Sequence, residues 1–230
     1  GISPDEVNWQ LGRDDPLLTR QICNAWKADK LIARTALRKD LGRAIAHLAD
    51  WPGTRIFQDN LLWKPAKALP IGYHQDNAYI TWLKPQEIVS CWIALDDTRQ
   101  ESGTLELVRY SHRWAHSNAD SKFHNPKHYR KAMEKEARKE DVSPEVVYIE
   151  VPYGSASFHH GWTWHGSGIN NTNSDRRALV LHGISTASKF VPDRLQEGNG
   201  PIYGRYKSPD NDFLDDKHFP ILWEKSWQNR

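Results

Sequence analysis

Short runs of strand-forming residues, separated by turn signals, are the feature that most limits how this chain of 230 residues can fold. The run 88–95 is almost continuously apolar, as expected of a strand that is buried on both faces. Pro152-Tyr153-Gly154 is a typical turn between two such runs. Further strands are predicted at 55–63, 104–108, 146–151, 155–158 and 178–184. The pattern is typical of a mainly β domain, either a sandwich or a barrel.

A helical segment precedes these strands. Asp15-Pro16 is typical of a helix N-cap followed by proline at the first helical position, and apolar residues then recur at helical spacing. We therefore expect one or two helices over 17–48, packed against the sheet.

A charged insert, 112–141, interrupts the series of strands. Within it, Asn125-Pro126 resembles another helix cap, and strong helix formers over 127–140 predict a helix with a solvated face. Near the end of the chain, the apolar stretch 219–223 is expected to pack on the body of the domain.

The charge balance gives no reason to expect a polyanionic partner. Lys and Arg number 31 against 29 Asp and Glu, so no strong field favours nucleic acid or an anionic membrane surface.

No apolar run approaches the roughly 20 residues of a membrane span, and Cys23 and Cys91 form no metal-binding or disulfide pattern. We expect a cytoplasmic protein, a monomer or a homodimer, that binds a small molecule and neither nucleic acid nor membrane. Since the chain begins Gly1-Ile2 without an initiator Met, an upstream segment is also expected.

The stretch 73–77 contains a His-x-Asp motif. Because residues two apart in an extended chain point to the same side, roughly 7 Å along, His74 and Asp76 can converge on one point. With a third ligand, for which His165 is the candidate, they would place two histidines and one carboxylate on one face of a metal. That arrangement leaves coordination positions open and suits non-haem Fe(II) oxygenases.

Other histidines offer rival metal sites. Two pairs have the spacing of one helical turn and could hold zinc: His112 with His116, and His124 with His128. Neither pair contains the glutamate of the H-E-x-x-H motif, so solvated histidines are the better interpretation. His159 and His160 compete with His165 for the place of the distant ligand, and either could instead lie in the pocket.

A longer set of motifs surrounds these histidines. The segments, in chain order, are 74–76, 90–97, 102–105, 111–113, 165–168, Asn170 and 176–178. Together they resemble the phytanoyl-CoA dioxygenase family, whose members are Fe(II)- and 2-oxoglutarate-dependent oxygenases. The resemblance extends from about residue 55 to about residue 184.

The resemblance implies one oxygenase domain over 1–230, with a double-stranded β-helix (a jelly roll, as in cupins) over 55–190. Residues 1–54 would be helical, and residues 191–230 would form a C-terminal tail. Family members usually carry a strand and a long helix ahead of the first residues seen here, which supports the missing upstream segment.

The resemblance also implies roles for single residues. His74, Asp76 and His165 would bind Fe(II), and Arg176 would bind the far carboxylate of 2-oxoglutarate, since a guanidinium pairs bidentately with a carboxylate. Arg177, on the opposite face of the same strand, should point away. Other positions that match cosubstrate contacts are Ser167, Trp92 and Asn60, and Gln58, two residues before Asn60, shares its strand face and is a further candidate.

The implied reaction is oxidation of a small molecule by O2, most simply hydroxylation, with release of succinate and CO2. Asp76 favours this over halogenation, because related halogenases need a small residue at that position. The alternatives are a cupin-like metal enzyme without 2-oxoglutarate, such as an isomerase, and a non-catalytic ligand-binding β-sandwich that uses its 11 tryptophans as stacking platforms. Candidates for substrate contact near the metal motifs are Tyr73, Asn77, Tyr79, Trp82, Trp162 and His182.

Overall fold

Two antiparallel sheets form the body of the protein in a computed structural model, which describes residues 3–119, 124 and 126–229. The strands, in chain order, are β1 (Glu6–Val7), β2 (Arg20–Cys23), β3 (Gly53–Lys64), β4 (Ile71–His74), β5 (Leu83–Lys84), β6 (Val89–Ala94), β7 (Glu106–Val108), β8 (Val146–Tyr148), β9 (Ala156–His160), β10 (His165–Ser167), β11 (Arg176–Ser185), β12 (Lys189–Phe190) and β13 (Ile221–Glu224). The α-helices are α1 (Lys30–Ala36), α2 (Lys39–Ala49), α3 (Lys131–Lys139) and α4 (Gly200–Tyr203).

The larger sheet has seven strands, in the order β1-β2-β3-β11-β6-β9, with β13 also paired to β3. The smaller sheet has four, in the order β4-β10-β7-β8, and β5 pairs with β12. The two sheets face each other through an apolar cluster that joins Trp92 and Val180 of the larger sheet to Leu105 beside β7. This is a jelly roll, so the predicted mainly β class and double-stranded β-helix core are confirmed.

Alternation along the central strands sorts side chains between the two faces of the larger sheet. Cys91 of β6 and Leu181 of β11 pack outward against Ile45 of α2, whereas Trp92 of β6 faces the smaller sheet. Every residue of β6 is buried, as predicted for the apolar run 88–95. Helices α1 and α2 therefore cover the outer face of the larger sheet, and its inner face carries the cavity described below.

The N-terminal region differs from its prediction. Asp15 caps only a single turn, where its side chain accepts a hydrogen bond from the backbone N–H of Leu17. The chain then forms β2, so the prediction of helix from residue 17 is wrong before Lys30, where α1 begins. Pairing with β3 satisfies backbone groups of β2, and this tertiary contact outweighs the local preference for helix.

Within the described part of the charged insert there is one α-helix, α3, which begins at Lys131 rather than at residue 127. The predicted cap, Asn125, lies outside the described residues. Just before the helix, Arg130 forms an ion pair with the buried Glu106 of β7, with an N–O distance of 2.6 Å. This ion pair ties the start of α3 to the smaller sheet.

The C-terminal tail packs on the body of the protein, as predicted. Phe219 is fully buried in a cluster with Trp82, and β13 adds a strand beside β3. Among the residues that the structure describes, no helix combines the length and the apolar character needed to cross a membrane.

Candidate active site

Strand pairing in the smaller sheet brings the two predicted histidine ligands together. His74 of β4 lies directly opposite His165 of β10 in antiparallel register, and their ring centroids are 4.2 Å apart. Gln75 is extended, and Asp76 opens the 3-10 helix that follows. One ligand atom from each of His74, Asp76 and His165 lies within 4.8 Å of the other two. No other group of this kind occurs among the described residues.

Backbone carbonyls fix the orientation of both imidazoles. The Nδ1 atom of His74 lies 2.9 Å from the Gly72 carbonyl oxygen, and the Nδ1 atom of His165 lies 2.9 Å from that of Thr163. A hydrogen on Nδ1 therefore leaves the lone pair of Nε2 for a metal. These Nε2 atoms lie 3.7 Å and 3.4 Å from Oδ1 of Asp76, at which distances one cation can contact both rings and the carboxylate.

The ionisation states of His74 and Asp76 fit a metal site, whereas His165 favours its protonated form. Burial opposes a charge on His165, but Asp76 outweighs burial and raises the pKa of this ring, so a metal would displace its proton. Burial, together with the charge of His165, lowers the pKa of His74 to about 3, so this ring is neutral at physiological pH. Burial opposes ionisation of Asp76, but His165 and His182 outweigh it and hold the pKa of the carboxyl well below its usual range. A neutral imidazole and an anionic carboxylate are the forms that bind a metal.

A row of polar side chains on the larger sheet contacts the other oxygen of Asp76. Ser90 Oγ donates to Asp76 Oδ2 over 2.8 Å and lies 2.8 Å from Nδ1 of His182. In register, Ser90 stands between His182 of β11 and His159 of β9. His159 is buried, and neither of its ring nitrogens has a hydrogen-bond partner within the described residues.

His159 is a site residue that the sequence prediction left undecided. It lies on the cavity wall, 3.7 Å from Asp76 Oδ2, whereas its neighbour His160 contacts Glu87. The signal that could have separated them is alternation: Ser157 and His159 share one face of β9, opposite Trp92 and Ser90 of β6.

The residues predicted to bind 2-oxoglutarate lie on the wall of the same cavity as the His-Asp-His group. The cavity has a volume of about 310 Å³. The larger sheet contributes Gln58, Asn60, Trp92 and Arg176, and the smaller sheet contributes Ser167.

Arg176 is only 2% exposed, and burial lowers its pKa to about 10. Its Nη2 donates to the carbonyl oxygen of Gly103 over 2.8 Å, while Nε and Nη1 have no partner within the described residues. Its Cζ lies 5.8 Å from the centroid of the Trp92 ring. The neighbouring Arg177 is exposed and pairs with Asp96, so it points away as predicted.

Two residues predicted to contact the substrate, Tyr79 and His182, lie on the cavity wall. Tyr73 and Asn77 do not. The hydroxyl of Tyr73 donates to Glu106 on the far side of β4, and the side-chain oxygen of Asn77 accepts from the backbone of Ile88. Both side chains make structural hydrogen bonds and do not line the cavity.

The two tryptophans predicted for substrate contact also lie away from the cavity wall. Trp82 is fully buried among Phe190 and Tyr203, and its indole N–H donates to Asn199. Trp162 stacks on His116 with a centroid distance of 3.7 Å. Each ring fills a packing position, which is the commoner use of a large aromatic side chain.

Comparison with known proteins agrees with this geometry. Residues 6–178 match the model of the family described as phytanoyl-CoA dioxygenase (PhyH). A curated relative from Stutzerimonas stutzeri, named as a probable alpha-ketoglutarate-dependent hypophosphite dioxygenase, is 27% identical over 158 residues. The match covers 67% of this chain and 51% of the relative, so the chain spans about half the length of that protein.

Solved structures of non-haem alpha-ketoglutarate-dependent enzymes share the fold. The carbocyclase SnoK from nogalamycin biosynthesis has a TM-score of 0.72 and 23% identity, over 94% of this chain and 79% of that one. The epimerase SnoN, in complex with Fe3+, alpha-ketoglutarate and nogalamycin RO, has a TM-score of 0.71 and 19% identity, over 95% of this chain and 83% of that one. The matched residues 6–178 include the His-Asp-His group and Arg176, and the chain belongs to the phytanoyl-CoA dioxygenase (PhyH) family.

Proposed function

We propose that the chain is an Fe(II)- and 2-oxoglutarate-dependent dioxygenase that oxidises a small molecule, in the simplest case by hydroxylation, and releases succinate and CO2. One observation carries the proposal. His74, Asp76 and His165 share a cavity with the buried Arg176, two of whose guanidinium nitrogens have no partner within the described residues. Family membership and the cosubstrate named for the curated relative support it.

Fe(II) would be held by Nε2 of His74, Nε2 of His165 and one oxygen of Asp76. Imidazole and carboxylate donors in this number suit Fe(II) and leave coordination positions for the cosubstrate and O2. The backbone contacts of the two Nδ1 atoms keep the rings in the ligand orientation, and Ser90 holds the second carboxylate oxygen. The residues present therefore fit this metal.

Arg176 would bind the far carboxylate of 2-oxoglutarate, because its Nε and Nη1 offer N–H donors that the described protein groups leave unused. Leu105 and Val180 give the same cavity apolar lining, and an apolar surrounding strengthens a charge interaction. The chemistry that Fe(II) and 2-oxoglutarate supply when bound is reduction of O2 coupled to decarboxylation of the cosubstrate.

The substrate would lie on the side of the cavity that carries His159 and His182. His159 makes no hydrogen bond in the described chain and has only a 3.7 Å contact from Nε2 to Oδ2 of Asp76, so it is the candidate to hold a polar group of the substrate beside the metal. The outer wall is mixed. Polar residues from the N-terminal region and the C-terminal tail, among them Glu6, Asn8, Gln21 and Asn199, stand beside apolar ones such as Ile202 and Tyr203. A small molecule with both polar groups and a carbon skeleton fits this wall.

Neither alternative function accounts for the whole cavity. A metal enzyme that uses no 2-oxoglutarate gives no reason to bury Arg176 without a carboxylate, which is costly. A non-catalytic β-sandwich gives no reason for the His-Asp-His group.

Succinate release tests the proposed function. We expect purified protein to form succinate only when Fe(II), 2-oxoglutarate and O2 are all present. A panel of polar small molecules, with hypophosphite among them, should contain members that raise the rate above the background without substrate. Succinate formation that continues without Fe(II), or none at saturating metal and cosubstrate across the panel, would contradict the proposal.

A further inference from the structure

A fully buried lysine lies beside Arg176, at the end of the cavity proposed for 2-oxoglutarate. Lys64 is the last residue of β3 and stands directly opposite Arg176 of β11 in antiparallel register. The exposed fractions are 0% for Lys64 and 2% for Arg176. Two buried cations on paired positions repel each other, and burial weakens the screening that water would provide. The burial of two cationic side chains next to each other therefore needs a physical explanation.

No anion of the described chain neutralises these two cations. Neither Lys64 nor Arg176 forms an ion pair with a described carboxylate, because the nearby acidic groups are engaged elsewhere: Glu106 pairs with Arg130, and Asp96 pairs with Arg177. A buried charge without a partner is strongly unfavourable. An anionic ligand in the cavity would remove this cost.

The protonation of Lys64 responds to the same imbalance. Burial and the charge of Arg176 on β11 lower the pKa of Lys64 well below its usual value, and Glu106 on β7 only partly opposes this. Ser167 of β10 faces the amine with a neutral hydroxyl. The amine therefore loses its proton more easily than an exposed lysine while no anion is in the cavity, and a carboxylate that enters favours its charged form.

Lys64 reaches the cavity through Ser167. Its Nζ donates to Oγ of Ser167 over 2.8 Å, and Ser167 lies on the cavity wall whereas Lys64 lies behind it. A charged ammonium only donates, so it occupies a lone pair of the hydroxyl and leaves the hydroxyl hydrogen to another acceptor. Lys64 therefore turns Ser167 into a donor that can face a ligand carboxylate.

Gly103 holds Lys64 and Arg176 at this end of the cavity. It has a φ of +64°, and a side chain there would place its Cβ 2.8 Å from Cε of Lys64. Its carbonyl oxygen also accepts the hydrogen bond from Nη2 of Arg176. The loop around Gly103 thus packs closely against the side chain of Lys64, and only glycine allows this approach.

We propose that Lys64 is a positioning residue which, acting through Ser167, selects a 2-oxo acid that carries a second carboxylate. Together with Arg176 it supplies two positive charges to that carboxylate, and binding of 2-oxoglutarate is accompanied by uptake of a proton by Lys64. This inference rests on the proposed function, which assigns the cavity to 2-oxoglutarate.

A comparison of two ligands on the Lys64→Met variant tests the inference. The ligands are 2-oxoglutarate and 2-oxopentanoate, which has the same chain length and lacks the far carboxylate. Dissociation constants are measured by calorimetry on the full chain loaded with Mn(II), so that no turnover occurs. We expect Lys64→Met to weaken 2-oxoglutarate binding by about 10-fold or more and to change 2-oxopentanoate binding little. Lys67→Met, at an exposed lysine in the next turn, is the matched control and should change neither.

The wild-type protein provides a second readout that needs no variant. Calorimetry in buffers with different ionisation heats should show proton uptake with 2-oxoglutarate and none with 2-oxopentanoate. Three results would overturn the inference while the proposed function stands. The first two concern Lys64→Met: it weakens the binding of both ligands equally, or it leaves the binding of 2-oxoglutarate unchanged. The third is that the wild-type protein takes up protons equally with both ligands. A wild-type protein that binds Mn(II) but not 2-oxoglutarate would overturn both.

Discussion

Replacing His74, Asp76 or His165 by alanine is expected to abolish 2-oxoglutarate-dependent succinate formation. Each supplies one of three metal-ligand groups within 4.8 Å of one another, and the described chain has no substitute group. Loss of a residue that only supports a ligand typically costs about 10- to 100-fold in metal affinity or activity. Loss of a ligand should therefore cost at least about 100-fold, measured as the steady-state rate at saturating 2-oxoglutarate with the bound iron determined in parallel.

The matched control for these variants is His128→Ala. His128 is exposed and belongs to one of the rival histidine pairs, so its loss should leave succinate formation unchanged. A triad variant that retained wild-type turnover would show that the metal is held elsewhere. Loss of activity in His128→Ala would point to the rival pair.

Arg176→Met is expected to weaken 2-oxoglutarate binding by about 100-fold or more, because loss of one member of a buried charge pair costs about 2–5 kcal/mol. The same substitution should leave the unfolding temperature of the ligand-free protein unchanged or raised. Within the described residues its guanidinium makes one hydrogen bond, to Gly103, and no ion pair, so its burial is only weakly compensated. The measurements are the KM for 2-oxoglutarate and the thermal unfolding midpoint without ligand.

The neighbouring Arg177→Met variant separates function from stability. Arg177 is exposed and pairs with Asp96, so its loss should cost at most about 1 kcal/mol of stability and leave the KM for 2-oxoglutarate unchanged. Two results would contradict the role of Arg176 in binding 2-oxoglutarate. One is an equal effect of the two variants on the KM for 2-oxoglutarate. The other is an Arg176→Met protein that has a lowered unfolding temperature and binds 2-oxoglutarate normally.

One short strand connects the two ends of the cavity. β10 carries His165, a residue of the metal-ligand group, and two positions later Ser167, which faces the proposed cosubstrate site. Gly166 between them leaves no room for a side chain, because a Cβ there would lie 2.8 Å from the ring of Tyr73. The alternation of a strand thus directs both functional groups into one cavity and packs the residue between them against the other face.

Sequence patterns were sufficient where function depends on the alternation of side chains over two or three extended residues. The spacing of His74 and Asp76 implied that both side chains face one point, and the structure places them in one group with His165. The same reasoning separated Arg176, which points inward, from Arg177, which points outward.

The sequence patterns were insufficient where a position depends on which strands become neighbours. Residues 20–23 have helix-compatible neighbours in sequence, and only pairing with β3 makes them a strand. Tyr73 and Trp82 lie close to the motif in sequence, but their side chains pack inside apolar clusters and do not line the cavity. Lys64 precedes a proline at the end of a strand, and nothing local indicates that it is buried behind Ser167.

The most direct test of the proposed site is anaerobic addition of 2-oxoglutarate to the Fe(II)-loaded protein. We predict a weak visible charge-transfer band that appears only when iron and 2-oxoglutarate are both bound. The band should be absent in Asp76→Ala. In Arg176→Met it should appear only at much higher concentrations of 2-oxoglutarate. Absence of the band in the wild-type protein at saturating Fe(II) and 2-oxoglutarate would contradict the claim that these residues hold both groups in one cavity.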